Sequence, residues 1–251
     1  MAAIVAISEA PSDAVAAIYA GELIGLRAPG AWSPQECAAA DAALDLSTIT
    51  THPLQPTGSL LTYGKMLAPS ALEPLGPSLD DYFADAEADT RAIDGLFPGG
   101  FVARLVTLLS QAAGGRPATL LDRPQPHRPA TVREIAPGAS AEGHVDTYAA
   151  SPAFAHLHEH TDRAVQLSFY LQLRAPEAGG QLEIATTHRD RGDAARLAPR
   201  IPIALSVGDV ILFDAANHHH HVTEVGGQRA RRTVGGFAAL SADHRALYFW
   251  G

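Results

Sequence analysis

The sequence predicts an α+β protein, with a mainly helical first portion over residues 1–125 and an antiparallel β sandwich or barrel over residues 126–251. Helix-start signals occur before residue 125, and apolar residues alternate with period two from Pro129 onward. Glycine and proline turns separate the alternating segments. Because no helical segment lies between most of these strands, we expect them to pair antiparallel, and the two portions to form one integrated domain.

The helices of the first portion are predicted from their ends. Residues 33–36 form a capping box with proline at the first helical position and predict a helix to about Leu46. A second helix is expected to begin at Ser78, and the apolar range 101–113 predicts a third that stops at a Gly-Gly pair. Residues 47–77 are rich in Pro, Thr and Gly and predict a long loop.

The second portion contains short segments with strand periodicity. The predicted strands are 130–135, 142–146, 166–173, 181–187, 203–205, 210–214, 219–225, 232–240 and 246–250. Residues 149–163 are polar and carry several histidines, which predicts a loop or short helix over a site.

Composition and charge exclude several classes of protein. The 251 residues carry 18 basic and 27 acidic side chains without a basic stripe, so no nucleic-acid partner is expected. Cys37 is the only cysteine and lies in a predicted helix, which favours a structural role and a cytoplasmic location without disulfides or thiolate zinc. No signal peptide or membrane span is predicted. We expect a small-molecule substrate and a monomer or homodimer.

Two histidine motifs in the strand-rich portion predict a metal site. In a strand, residues i and i+2 point the same way, so His144 and Asp146 are expected to share one face. The run of four histidines at 218–221 follows about 70 residues later. Two histidines and one carboxylate leave three metal positions open, as in non-haem iron(II) oxygenases. Alternation alone does not decide which histidine of the run is the ligand.

A third histidine cluster is interpreted differently. His156, His158 and His160 lie in the polar insertion without strand-like neighbours, and we interpret them as solvated or lid residues. Their spacing does not match the zinc-binding His-Glu-x-x-His helix.

Three arginines follow the histidine run. An arginine about ten residues beyond the distal histidine would lie one strand over, and its planar guanidinium can bind a carboxylate through two parallel hydrogen bonds. Arg229, Arg231 and Arg232 are the candidates, and at least one of them is expected to lie on the hairpin surface.

Together these motifs resemble the iron(II)- and 2-oxoglutarate-dependent oxygenase superfamily, with its order His-x-Asp, His, Arg. The likeness is closer to the free-standing indole-alkaloid halogenases of the welwitindolinone and ambiguine type, and to hydroxylases of N-acylated amino acids. The segments that carry it span about residues 60–251 and are 63–64, 79–83, 129–133, 176–182, 231–237 and 248–250.

The resemblance implies a fold, cofactors and roles. It implies a double-stranded β-helix (jelly-roll or cupin-like) core, Fe(II), 2-oxoglutarate and O₂. It places iron on His144, Asp146 and His220, and the far carboxylate of 2-oxoglutarate on Arg231, assisted by Thr233. Arg229 and Arg232 remain alternatives for that carboxylate.

One departure from the halogenases bears on the reaction. Those enzymes carry glycine where this chain has Asp146, and the vacancy admits chloride. The resemblance therefore implies hydroxylation of an unactivated C–H bond of an amino acid derivative or natural-product scaffold, with release of succinate and CO₂. Desaturation, epoxidation, halogenation, a cupin-like metalloenzyme without 2-oxoglutarate and a non-catalytic metal-binding module are the alternatives.

Overall fold

The computed structural model describes residues 2–44, 49–53, 59–67, 79–147 and 154–251. Within these ranges the α-helices are α1 Ala14–Tyr19, α2 Pro34–Ala43, α3 Leu79–Ala84, α4 Ala86–Leu96, α5 Val102–Ala112, α6 Ala155–His160 and α7 Asp193–Arg196. The strands are β1 Ala3–Ala6, β2 Leu23–Ala28, β3 Ile49–Pro53, β4 Ser59–Tyr63, β5 Ala118–Leu120, β6 Thr131–Ile135, β7 Ala141–His144, β8 Leu167–Arg174, β9 Ala178–Gly179, β10 Leu182–His188, β11 Arg200–Ile203, β12 Val210–Asp214, β13 His218–Val222, β14 Val225–Gly226, β15 Arg231–Leu240 and β16 Leu247–Trp250.

The strands form a large major sheet and a four-stranded minor sheet. The major sheet runs β1-β2-β12-β8-β15-β6-β4-β3, with β16 and β5 beyond the far end of β15. The minor sheet runs β11-β10-β13-β7. Except for the β1–β2 and β5–β16 pairs, the pairings in both sheets are antiparallel, as the lack of helices between most strands of the second portion predicts.

Alternation along the central strands gives the major sheet two different faces. On β8, Phe169 and Leu171 belong to a core cluster shared with α1, α2 and α5. Full burial of such a side chain contributes about 1.5–3 kcal/mol. Ser168 and Tyr170 point the opposite way, because successive strand residues alternate between faces. The helices therefore cover one face, and the other face is free to carry a site.

The helical prediction at residue 33 is confirmed in detail. The backbone N–H of Glu36 donates to Ser33 Oγ at 3.2 Å, and the Glu36 carboxylate accepts from the backbone N–H of Ser33 at 2.8 Å. This reciprocal pair satisfies two of the helix's unpaired N–H groups. The predicted helix over 101–113 is observed as α5. Ser78 itself lies outside the described residues, and α3 is observed from Leu79.

The prediction of a continuous loop over 47–77 is wrong. Strands β3 and β4 occupy part of that range and extend the major sheet beyond β6. Proline at the end of β3 is compatible with an edge strand, where a missing N–H breaks no hydrogen bond inside the sheet. Residues 47–48, 54–58 and 68–77 of the predicted loop lie outside the described residues. Among the described helices, none combines the length and the apolar character needed to cross a bilayer.

Four charged side chains tie α2 to the major sheet. Arg232 pairs with Asp41 at 2.8 Å and with Glu134. Arg174 pairs with Glu134 at 2.7 Å and with Asp41 at 3.4 Å. Each of the two carboxylates thus lies between two guanidinium groups. Removing one of these partly buried side chains would leave its partners with unpaired charge, which would destabilise the fold.

Candidate metal centre

Strand pairing brings two of the predicted ligands together. In the minor sheet, His220 on β13 lies directly opposite His144, the last residue of β7. Their ring centroids are 4.4 Å apart. The imidazole of His220 is buried, whereas half of the His144 side chain is accessible. One ligand therefore belongs to the interior and the other faces the opening of the site.

Asp146 follows β7 and is fixed by its own contacts. It was predicted inside the strand, but β7 ends two residues earlier. Its backbone N–H donates to the carbonyl of Ala215 at 2.8 Å, and Ser168 Oγ donates to its Oδ2 at 2.8 Å. Asp146 Oδ1 lies 3.6 Å from His144 Nε2, and its Oδ2 lies 3.5 Å from His220 Nε2. Of the described residues, these three form the one group whose ligand atoms all lie within 4.8 Å of one another.

The hydrogen bonds of the two imidazoles favour metal binding. His144 Nδ1 lies 2.8 Å from the carbonyl of Glu142, and His220 Nδ1 lies 3.1 Å from the carbonyl of His218. A carbonyl only accepts, so each Nδ1 carries the proton and each Nε2 presents a lone pair toward Asp146. His220 Nε2 is buried without a hydrogen bond to any described residue. The donor set therefore suits a divalent cation.

The charge state of the site agrees with this assignment. Burial raises the pKa of Asp146, but His220, His144 and Ser168 together lower it more, and the pKa lies well below its usual range. The pKa of His144 is lowered, first by burial and then by its neighbour His220. An ionised carboxylate and a neutral imidazole are the forms in which aspartate and histidine side chains bind metal.

The four consecutive histidines separate by parity. His218 and His220 point inward, and Nδ1 of His218 is in hydrogen-bond contact with the carbonyl of Ala185 at 2.8 Å. His219 is half-buried, and His221 lies 3.3 Å from the Glu183 carboxylate. Among the four, His220 is the one directed at Asp146, the position that the family register predicts.

The three candidate arginines have different surroundings. Arg229 is exposed, and Arg232 is paired with two carboxylates. Arg231 is buried and has no carboxylate partner among the described residues. Burial lowers its pKa to about 10, with a further decrease from Arg133. A buried guanidinium without an acid is a site for an anionic ligand.

A cavity of about 220 Å³ lies beside Arg231. Gln172 lines it from the major sheet, and Leu182 and Ile203 line it from the minor sheet. Leu182 and Ile203 pair with each other, and Leu182 is two residues from Ile184, the strand neighbour of His220. Thr233 is buried two residues from Arg231 and therefore on the same face of β15.

The insertion helix α6 contacts the core through a histidine pair. His156 Nε2 lies 3.3 Å from Nε2 of His127, and the His156 ring packs edge-on against Phe83. His127 is buried, and burial is the main reason that its pKa falls to about 3. His156 is thus half-buried and packs against the core, and its role as a lid residue stays a prediction. His158 and His160 are half-buried, and residues 148–153 lie outside the described residues.

Four site residues carried no assigned role in the sequence interpretation. Ser168, Tyr170 and Arg133 lie on the inner face of the major sheet, and His127 supports α6. Residues 167–171 lie in the predicted strand 166–173, and the alternation of a strand places Ser168 and Tyr170 on the face opposite Phe169. This alternation is the sequence feature that could have indicated Ser168 and Tyr170.

The family of the chain follows from a match over nearly its whole length. A family model described as the carrier-protein-independent halogenase WelO5 matches residues 4–251. The chain belongs to this family. No curated protein matches the chain in sequence.

Solved structures show the same fold at low sequence identity. An N-substituted L-amino acid dioxygenase from Burkholderia ambifaria, in complex with alpha-KG, has a TM-score of 0.58 at 16% identity, covering 95% of this chain and 90% of its own. A 2OG-Fe(II) oxygenase family protein from Burkholderia pseudomallei has a TM-score of 0.52 at 18% identity, covering 94% and 95%. The epimerase SnoN from nogalamycin biosynthesis has a TM-score of 0.54 at 12% identity, covering 86% and 80%.

These matches confirm the coarser predictions. The resemblance to this halogenase family within the oxygenase superfamily is confirmed, and so is the double-stranded β-helix fold class. Iron and 2-oxoglutarate are confirmed as cofactors at the level of the superfamily. The family description refers to halogenation, whereas the similar folds belong to a dioxygenase and an epimerase, so hydroxylation stays a prediction.

Proposed function

We propose that the protein is an iron(II)- and 2-oxoglutarate-dependent oxygenase that hydroxylates an unactivated C–H bond of a free small molecule. The observation that carries this proposal is the carboxylate of Asp146 beside His144 and His220, which completes a two-histidine, one-carboxylate site. When bound, iron with 2-oxoglutarate and O₂ supplies the oxidising chemistry, and succinate and CO₂ are released.

The side chains around the triad have separate tasks in this proposal. His144, Asp146 and His220 hold iron, and Ser168 orients Asp146 by donating to Oδ2. The Nδ1–carbonyl contacts of the two histidines fix their rings, which keeps both Nε2 lone pairs directed inward. The polypeptide thus supplies ligand geometry before any metal arrives.

Arg231 and Thr233 bind the far carboxylate of 2-oxoglutarate in this proposal. The cavity beside Arg231 is lined on both sheets by residues of the inner faces, which suits a short dicarboxylic acid. Arg231 supplies the charge and the fork geometry, and Thr233 supplies a hydroxyl donor on the same face. Arg232 is excluded from this role because Asp41 and Glu134 already occupy its guanidinium.

Asp146 favours hydroxylation over the halogenation that the family description suggests. A carboxylate ligand fills the coordination position that a glycine would leave open for a halide. It also adds a negative charge where an incoming chloride would have to bind, and like charges at close range repel. The substrate is proposed to be an amino acid derivative or natural-product scaffold, in line with the N-substituted amino acid dioxygenase of the same fold.

The test of this proposal is 2-oxoglutarate turnover by the iron-loaded enzyme. Succinate is measured against a panel of amino acids, N-acyl amino acids and alkaloid-like compounds, with chloride present and absent. We expect succinate formation that requires 2-oxoglutarate and rises with substrate, and a product heavier by one oxygen. Turnover without 2-oxoglutarate would support a cupin-like metalloenzyme instead, and a chlorinated product from the unmodified enzyme would refute the argument from Asp146.

The companion variant is Asp146→Gly. We expect it to lose hydroxylation and to bind chloride in the vacated position, detected as a chlorinated product in mass spectra. The matched control is Asp146→Glu, which keeps the carboxylate but moves it by one methylene; we expect it to form no chlorinated product.

A further inference from the structure

A second arginine, Arg133, lies on the inner face of the major sheet. It is in β6, opposite Thr233 of β15. Its Nε donates to Thr131 Oγ1 at 3.2 Å. The guanidinium carbon stands 5.6 Å from the ring centroid of Tyr170 and 5.4 Å from that of Phe237. Two aromatic faces and one hydroxyl therefore hold this cation in a fixed orientation.

The guanidinium of Arg133 is incompletely paired. Its Nη2 is buried and makes no hydrogen bond to a described residue, and no carboxylate of the described residues lies within ion-pair distance. Aromatic rings stabilise the positive charge, but they cannot accept the two parallel N–H hydrogen bonds that a carboxylate accepts from a guanidinium. Arg232, by contrast, has two acidic partners.

The strand register separates Arg133 from the cavity of Arg231. The Arg133 side chain reaches Thr131 and the Phe237 ring, so it runs along β15 from Thr233 toward Phe237 and away from Arg231. Arg133 does not line the cavity beside Arg231, although the two guanidinium groups are close enough to repel each other.

The same register places the guanidinium beside the metal site. Ser168, the neighbour of Phe237 on β8, donates to Asp146. The cation is thus at the level of the triad, and Phe237 beneath it belongs to the aromatic cluster that contains Phe83 and Phe154.

We propose that Arg133 binds a carboxylate of the substrate and thereby positions the substrate against the metal. This inference rests on the proposed function. It names the substrate class as a carboxylate-bearing small molecule, such as an N-acylated amino acid, and excludes a neutral alkaloid. Tyr170 and Phe237 hold the Arg133 guanidinium in place, and the aromatic cluster beyond Phe237 offers an apolar surface for the rest of the substrate.

The experiment measures binding to the iron- and 2-oxoglutarate-loaded enzyme under anaerobic conditions by calorimetry. The probes are N-acetyl L-amino acids and their matched N-methylamides, which differ in the carboxylate. We expect carboxylates to bind about tenfold to hundredfold more tightly than the amides, the range that a charge-assisted hydrogen bond provides. Arg133→Leu is expected to remove this difference and Arg133→Lys to keep part of it. The control is Arg229→Leu, which removes an exposed charge and is expected to bind as the unmodified enzyme does.

A second measurement determines whether Arg133 binds a carboxylate of the substrate or one of 2-oxoglutarate. The dissociation constant of 2-oxoglutarate is measured for Arg133→Leu and Arg231→Leu, each checked for folding by its melting temperature. We expect Arg133→Leu to stay within about twofold of the unmodified enzyme, whereas Arg231→Leu weakens binding about a hundredfold. Equal losses in both variants would show that Arg133 serves the cosubstrate and would overturn the inference. If the enzyme binds 2-oxoglutarate but none of the carboxylate probes at about 10 mM, the inference about Arg133 is overturned and the proposed function stands. If the enzyme does not bind 2-oxoglutarate, the proposed function itself is refuted.

Discussion

Replacing Arg231 with leucine is predicted to stabilise the cosubstrate-free protein while abolishing its response to 2-oxoglutarate. Burial lowers the pKa of Arg231 from the ordinary range of an arginine side chain to about 10. At about 1.4 kcal/mol for each pH unit, this difference corresponds to about 3 kcal/mol of unfavourable free energy in the charged folded state. Because the folded pKa is the lower one, the penalty is fully present at pH 7 and is relieved only as pH rises above about 10.

The cosubstrate should act in the opposite sense. If two charge-assisted hydrogen bonds contribute about 3 kcal/mol in total, their loss weakens 2-oxoglutarate binding about a hundredfold. At a concentration one hundred times its dissociation constant, the ligand adds about 2.7 kcal/mol to the unfolding free energy of the unmodified protein. The same concentration should add only about 0.4 kcal/mol to Arg231→Leu.

Urea unfolding of the metal-loaded protein with and without 2-oxoglutarate measures both effects. The control is the neighbouring variant Arg232→Leu, for which we expect the opposite result. It leaves Asp41 and Glu134 partly unpaired, so the free energy of unfolding should fall by about 3 kcal/mol and the response to 2-oxoglutarate should not change. A destabilised Arg231→Leu protein that still gains stability from 2-oxoglutarate would refute the assignment of the cosubstrate site.

Three further variants test other parts of the structure. His144→Ala should weaken iron binding more than about 100-fold in calorimetry and abolish succinate formation, since one of three protein ligands is lost. Asp41→Asn should lower the unfolding free energy by about 1–3 kcal/mol with kcat unchanged, whereas Glu87→Gln, which breaks an exposed ion pair, should change it by less than about 0.5 kcal/mol. Gly235→Ala should lower the unfolding free energy by about 1–3 kcal/mol and raise the KM for substrate, because its Cβ would lie 2.6 Å from Tyr170 Cδ1.

The strand-rich portion was largely predictable from the sequence because each strand has one period and clear turns. Strands β8, β12 and β15 begin and end within one residue of their predicted bounds. The strands of the first portion were not predicted. β2 is apolar throughout except for Gly25 and Arg27, so it shows no alternation, and only its place beside β12 makes it a strand. β3 and β4 were obscured by the prolines and glycines around them.

The grouping of His144, Asp146 and His220 was predictable because the first two are two residues apart and the family resemblance selects His220, whereas the surroundings of the arginines required the structure. Three arginines within four residues differ in one respect that sequence does not encode, the acidic side chains brought near them from distant segments. Asp41 and Glu134 lie 191 and 98 residues from Arg232, and no periodicity links them. Arg133 was part of a segment that resembles the family, yet its missing partner became evident only from the register of β6 against β15.

All ten residues of β15 are buried, and consecutive residues face opposite surroundings. Arg231, Thr233, Gly235 and Phe237 face the site, whereas Arg232, Val234 and Ala238 face the helices and the ion pairs. Tolerance to substitution along this strand should therefore alternate with position: changes at odd-numbered residues alter which compounds are processed, and changes at even-numbered residues alter how much protein accumulates. Diversification aimed at new substrates can use the odd positions of this one strand and leave the scaffold intact.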